Sequence, residues 1–265
     1  MDYVINRTGI STWALDVGDT CLVTAAVTAL PMIGLDRLNN DLAGWLDRVL
    51  IRPGLLAPSS FEDAFVAIVA SCAPDPMDAW TAFYRNTIDG LARGGTEPGG
   101  TIAEFAPVHE RAVSLVQGRD VLELGCCFGF LSLRLAREGH RVTALDLVPG
   151  TMGLLTQVAA RLGVTVAGVA GDVTAVPLAD RCADTVLAVH LLEHLPVEAG
   201  ATALAEMVRL ARRRVVVAVP FEDEPNPTWG HVRCFDARAL ADLGASTGLR
   251  YEVREHHGGW LVLDV

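Results

Sequence analysis

The chain has 265 residues, 51% of them hydrophobic and 20% charged, and a formal net charge of −11. That length and apolar content support a sizeable core, in one large domain or in a domain with an appendage. An acidic chain without a basic stripe or a lysine run excludes a nucleic-acid backbone as the expected partner. The opening residues MDYVINRTG lack the charged-then-apolar pattern of a secretory leader. The apolar run from Cys21 to Ile33 is broken by Pro31 and is too short to span a bilayer, so no membrane span is expected. None of the six cysteines (Cys21, Cys72, Cys126, Cys127, Cys182, Cys234) forms a C-x-x-C pair, so the expected setting is reducing and cytoplasmic.

In chain order, Asp2–Asn6 and Thr20–Leu30 are rich in Val, Ile and Thr and read as strands. Leu35 to Leu50 has helical spacing, with Leu35, Leu38, Leu42, Leu46 and Val49 in register. Phe61–Cys72 and Met77–Leu91 also read as helices; Ser59 or Ser60 would cap the first, and Asp75 with Pro76 would open the second. Aromatic residues such as Phe65, Trp80 and Phe83 would wall an acceptor pocket or form this segment's own core. GGTEPGG, residues 94–100, is the clearest linker signal. The reading is therefore a mainly helical N-terminal extension over 1–100 and a second domain over 101–265. Ile102–Val116 opens that domain as a helix carrying His109, expected to be exposed.

RDVLELGCCFGF, residues 119–130, is the stretch around which the second domain is organised. An apolar strand ends in an acid and a glycine turn, and a helical pattern follows at Leu131, Leu133 and Leu135. Glycine lets the backbone turn sharply and approach a ligand, and a helix start attracts polar or anionic groups. The spacing is E-x-G-x-C-x-G (Glu123, Gly125, Cys127, Gly129), not the G-x-G-x-x-G of dinucleotide sites. A second strand, Arg141–Leu147, places Asp146 where an acid can accept both ribose hydroxyls of a nucleoside; the same residue would otherwise cap the next helix. A third, Val164–Ala170, runs into Asp172 and Val173, a ligand-contacting pair or an ordinary turn. Ala183–His190 is the fourth, followed by LLEHLP and a helix from Pro196 to Arg212. Arg213–Phe221 is the fifth, Leu240–Ala245 ends a helix, and Leu249–His256 with Gly259–Val265 form a final pair.

These ordered segments resemble the class I S-adenosylmethionine (SAM) methyltransferases, whose first motif is [DE]-x-G-x-G-x-G; the departure here is Cys127 in place of the middle glycine. The resemblance covers residues 101–265 and implies an α/β, Rossmann-like seven-stranded sheet ordered 3-2-1-4-5-7-6 with strand seven antiparallel. It implies SAM as cofactor, with Glu123, Gly125, Cys127, Gly129, Asp146, Asp172, Val173 and His190 on the cofactor side. Asp172 would meet the adenine amino group and the Val173 amide the ring nitrogen.

Methyl transfer to a hydroxyl needs a base, and imidazole is suited to the task near neutral pH. His194 in LLEHLP and His231 in the loop PFEDEPNPTWGHVRCF are the candidates, with Glu193 beside the first. Glu193, His194 and His231 also resemble the carboxylate-plus-histidine set of metal-assisted methyltransferases; a divalent cation is the less expected alternative. Trp229 and Trp260 offer flat faces for a sugar ring or for ordinary packing, and Asp223, Asn226 and Arg233 offer polar contacts. CFGF, EPNPTWGHVRCFD and HHGGWLVL together are similar to the mycofactocin oligosaccharide methyltransferases, which implies a small-molecule or glycosylated substrate and O-methylation of a glucose hydroxyl. Other acceptors (phenol, amine, carboxylate) and a non-catalytic SAM-binding protein are the competing expectations.

Overall fold

The computed structural model describes residues 33–95 and 100–265, together with the backbone of Trp13–Asp16 and Leu22–Ala25. Those two short strands, β1 (Trp13–Asp16) and β2 (Leu22–Ala25), pair antiparallel. The strand expected at Asp2–Asn6, and the rest of that expected at Thr20–Leu30, lie outside the described residues. By contacts the chain divides into two compact units, Met1–Asn86 and Thr87–Val265.

In the first unit, helix α1 (Asp41–Leu46) continues into a π-helical turn, Asp47–Ile51. Leu38, Leu42 and Leu46 recur every fourth residue and are buried, whereas Leu35 and Val49 are exposed; the apolar period is right but the regular helix is shorter than the pattern. Helix α2 (Phe61–Ser71) and helix α3 (Pro76–Ala92) follow, α3 running past the unit boundary. Asp75 accepts from the Met77 amide at 2.9 Å, the expected tie at the α3 start. Phe65, Trp80, Phe83 and Tyr84 are buried and meet edge to face, with Phe65–Phe83 and Trp80–Phe83 centroids each 5.5 Å apart. They form this unit's own core, one of the two roles open to them.

The second unit opens with helix α4 (Thr101–Leu115). The sheet strands are β3 (Asp120–Leu124), β4 (Arg141–Asp146), β5 (Val166–Ala170), β6 (Ala183–Val189), β7 (Ala211–Val219), β8 (Arg250–Glu255) and β9 (Gly259–Asp264). Their order is β5-β4-β3-β6-β7-β9-β8. Counted from β3, this is 3-2-1-4-5-7-6, and the seventh strand runs antiparallel to both its neighbours. Helices α5 (Phe130–Arg137), α6 (Pro149–Arg161), α7 (Val197–Leu210) and α8 (Ala237–Ser246) complete the unit.

The central strands read as continuous apolar runs because both faces are covered: Val215 through Val219 are all buried. Helix α7 lays Ala203, Leu204, Met207 and Leu210 into the same core. It ends at Leu210, two residues earlier than its spacing indicates, because Ala211 pairs with Ala183 and begins β7. At the edge, β8 (RYEVRE) is charged and largely exposed, which protects the sheet from pairing with another chain.

Candidate functional site

The loop from β3 to α5 is held open by its backbone. Gly125 and Gly129 lie at φ +66° and +72°, where an added Cβ would come within 2.5 Å of Leu191 and Leu155 respectively. These positions need glycine both for conformation and for space. Cys127 is also left-handed, φ 48°, with its side chain exposed. The Cys127 amide donates to Asp146 Oδ2 at 2.8 Å, and the Val148 amide to Asp146 Oδ1 at 3.2 Å. Asp146 thus caps the next turn and also ties the glycine loop to the end of β4. A carboxylate offers about four acceptor sites, so capacity for two hydroxyls remains.

Glu123 lies beneath this loop, buried, with its carboxylate accepting from the Ser132 hydroxyl on α5. Burial pushes its carboxyl up to about 7; the Ser132 hydroxyl holds it down and the Asp146 charge adds to the rise. Asp172 is exposed, and its Oδ1 accepts from both the Thr174 amide (2.8 Å) and hydroxyl (2.7 Å), which holds its carboxyl below the usual carboxylate range. The aspartate therefore builds the turn with one oxygen, while Val173 packs into the core. His190 follows β6 in a left-handed conformation, φ 54°. Its ring packs on Phe105 at 5.1 Å, and its Nδ1 lies 3.3 Å from Glu193 Oε1. Glu104, Phe105, Val108, His190 and His257 line a cavity of about 270 Å³.

Beside it, LLEHLP forms a single 3₁₀ turn, Leu192–His194. The loop after β7 is stitched to that turn: the Val232 amide donates to the Glu193 carbonyl (2.8 Å) and Arg233 Nε to the Leu192 carbonyl (3.0 Å). This brings His194 and His231 edge to face, with ring centroids 4.9 Å apart. His194 stays near the surface; partial burial of its ring lowers its basicity, Glu193 opposes the shift, and His231 reinforces it. His231 Nδ1 lies 2.6 Å from Glu222 Oε2. Glu193 is fully buried, and among the described residues neither carboxylate oxygen has a hydrogen-bond partner; the His190 Nδ1 contact is close but poorly aligned for a hydrogen bond. Donor atoms of Glu193, His194 and His231 lie within 4.8 Å of one another, a set able to hold a divalent cation.

The fold brings Glu123, Gly125, Cys127, Gly129 and Asp146 into one loop cluster, and Glu193, His194 and His231 into another. One expectation changes, and one open choice closes. His109 is buried, not exposed, and burial, with Arg134 and His190 nearby, drives its pKa down to about 3. Trp260 is buried on β9 with its Nε1 donating to the His256 carbonyl at 2.8 Å, so it is packing and not a sugar platform. Arg233 donates through Nε to the Leu192 carbonyl and lies 4.4 Å from the Phe235 ring, while its Nη2 is buried without a hydrogen-bond partner among the described residues. Glu222 and Ser132 escape sequence reasoning: Glu222 is one of three acids in FEDE, and Ser132 lies nine positions after its partner.

Strand order, the antiparallel seventh strand and the glycine loop define the class I methyltransferase fold. Residues 121–214 match the family model described as "Methyltransferase domain". The chain is 31% identical over 110 residues to a ubiquinone biosynthesis O-methyltransferase of Bordetella pertussis, a match covering 36% of this chain and 44% of that protein. It is 36% identical over 98 residues to a malonyl-acyl-carrier-protein O-methyltransferase of Serratia marcescens, covering 36% and 35%. The chain thus spans less than half the length of these relatives. Among solved structures it resembles a SAM-dependent methyltransferase from Aquifex aeolicus with TM-score 0.51 and 17% identity, covering 67% of this chain and 96% of that one. The 4+2 cyclase SpnF matches with TM-score 0.51 and 19% identity, covering 64% and 70%. The fold therefore hosts more than one chemistry, and the reaction must be argued from the site. No helix among the described residues is long and apolar enough to cross a membrane.

Proposed function

We propose that this chain is a SAM-dependent O-methyltransferase acting on a hydroxyl of a small-molecule or glycosylated acceptor. One observation carries the reading: a tied glycine loop with Asp146 and a histidine pair, His194 and His231, lie on loops that follow the carboxyl ends of strands of one sheet. Ligands of open α/β sheets bind at that edge. The family match over 121–214 and the O-methyltransferase names of the relatives support it.

When bound, SAM supplies an electrophilic methyl on a sulfonium. The chain's residues fit a nucleoside: Asp146 retains acceptor capacity for ribose hydroxyls and Asp172 retains Oδ2. On the acceptor side, a histidine of the His194–His231 pair takes the hydroxyl proton. The finer reading is a glucose hydroxyl on an oligosaccharide such as the mycofactocin tail, supported by the resemblance of the EPNPTWGHVRCFD and HHGGWLVL stretches.

Calorimetric titration with SAM, then transfer of labelled methyl to glucosides, catechols and amines, tests the reading. Binding with label on a glucoside hydroxyl is expected, and cells lacking the protein should accumulate a glycoside lighter by one CH₂. No SAM binding overturns it; label on an amine alone overturns the hydroxyl.

A second reading follows from the buried Glu193 carboxylate, which has no hydrogen-bond partner among the described residues: a divalent cation on Glu193, His194 and His231 would lower the pKa of the acceptor hydroxyl. Chelator-sensitive turnover restored by a divalent ion would favour it over the histidine base.

A further inference from the structure

The geometry points to Glu222 as a positioning residue: it holds His231 by Nδ1–H, so that the ring presents Nε2 as its unprotonated, substrate-directed nitrogen. The inference rests on the reading of the His194–His231 cluster as the acceptor side of a methyltransferase.

His231 is constrained from several directions. Its own amide donates to the Asn226 carbonyl at 3.0 Å, closing a turn in which Asn226 Oδ1 also accepts from the Thr228 amide at 3.1 Å. The next two residues, Val232 and Arg233, are pinned to the backbone of the Leu192–Glu193 turn. The loop that carries His231 is thus fixed to itself and to the segment that carries His194. Only the ring's rotation and tautomer remain open, and Glu222 settles both.

Glu222 follows β7 by three residues and reaches His231 Nδ1 at 2.6 Å. The His231 side chain is only 8% exposed and that of Glu222 23%, so this is not a solvent-screened surface pair. An ionised carboxylate only accepts, so the proton between them must sit on Nδ1. Nε2 then carries the lone pair. Neutral histidine has two tautomers, and the hydrogen bond on one nitrogen decides the role of the other. The same arrangement serves either chemistry open to this cluster, since a proton-accepting or an ion-binding imidazole must both offer a lone pair. Carboxylate partners behind such histidines are worth roughly 10–100-fold in affinity or activity at ligand sites.

His194 differs. Among the described residues no carboxylate oxygen is hydrogen-bonded to it, and it meets the backbone at Gly230 instead. The two rings therefore divide the work: His231 receives, and His194 orients the acceptor.

The test uses the full chain, treated with chelator and labelled with ¹⁵N-histidine, at a pH about two units above the ordinary imidazole value of ~6.5. His231 is assigned from a His231→Gln variant. The wild type should show Nδ1–H and a bare Nε2 at His231. Glu222→Ala should move the proton toward Nε2, while SAM affinity by calorimetry stays within about twofold. With a labelled-methyl glucoside assay, Glu222→Ala should lower kcat by about 10–100-fold, with KM little changed. Glu222→Gln, which keeps an acceptor but can also turn its amide donor to the ring, should lie between. An Nε2–H tautomer in the wild type, or an unchanged tautomer in Glu222→Ala, overturns the proposal. So does full turnover in Glu222→Ala under conditions where His231→Gln is inactive. If the wild type methylates no acceptor, the methyltransferase reading fails, yet the tautomer measurement still decides the role of Glu222.

Discussion

At the residue scale, two groups in the β3–α5 loop are held away from their ordinary state. Glu123 gives up solvent for one hydroxyl, and its folded value lies near 7, against an ordinary value of 4.5. The sign follows from linkage: between those two values the folded chain holds a proton that the unfolded chain has lost, so stability falls as pH rises. The fall should level off above about 7 and amount to ~3 kcal/mol at most. Glu123→Gln keeps an acceptor for Ser132 without the charge; its stability should be nearly flat across that window and exceed wild type at higher pH. Denaturant titrations from about pH 4.5 to pH 8 would check both statements. Cys127 presents the complementary case. A left-handed non-glycine residue costs about 1–3 kcal/mol, and glycine returns part of any relief through its unfolded-state freedom. Cys127→Gly should fold with equal or slightly higher stability and bind SAM equally or more tightly by calorimetry. A collapse of SAM affinity would mean that the thiol side chain shapes the loop.

At the element scale, the glycine that opens α5 shows why some of the chain was legible and some was not. Gly129 was readable because a sharp strand-to-helix turn demands a left-handed residue and the motif shows it locally. Its second reason, the Leu155 side chain 2.5 Å from where a Cβ would sit, comes from another helix and leaves no mark in the spacing. Gly129→Ala should therefore cost more than backbone strain alone, on the order of 2–3 kcal/mol, and should shift the tie between Cys127 and Asp146. Chemical denaturation with a SAM titration would register both effects. The same division runs through the molecule. Strands β3 to β9 were legible because apolar runs and turn residues are local signals. The burial of His109 was not, because helix α4 meets its neighbours through tertiary packing; three positions on, Ala112 shares the buried face. The pair His194–His231 was legible as two residue types, but the loop stitching that joins them depends on contacts between segments more than thirty residues apart, and Glu222 behind His231 is one acid among three that only the folded loop singles out.

At the scale of the whole second unit, the two edges of the sheet are built for different ends. The amino edge is laced by ion pairs: Arg212 donates to Asp184 Oδ1 at 2.9 Å and also reaches Asp120, while the Arg119 and Asp120 amides donate to Asp184 Oδ2 at 2.9 and 3.1 Å. These bonds, Arg212 first, hold the Asp184 carboxyl well below the usual carboxylate range. The carboxyl edge instead carries glycine turns and polar groups with spare capacity. Variants at the two edges should therefore separate folding from binding. Asp184→Asn keeps the shape and loses the charge; it should cost about 2 kcal/mol and roughly 4–8 °C of Tm, with the SAM affinity unchanged. Because the folded value is depressed, this contribution is present above the ordinary carboxylate value and is lost as pH falls through the folded one; wild type and variant should converge in acid. Asp146→Asn keeps an acceptor for the loop and loses the charge; it should do the reverse, weakening SAM by about 10–100-fold while Tm in its absence moves less than in Asp184→Asn. Thermal melts with and without SAM, run on both variants, would show the separation. A loss of SAM binding in Asp184→Asn at a temperature where the chain remains folded would mean that the two edges are coupled through the strands and that the site is not an independent set of loops on a rigid sheet.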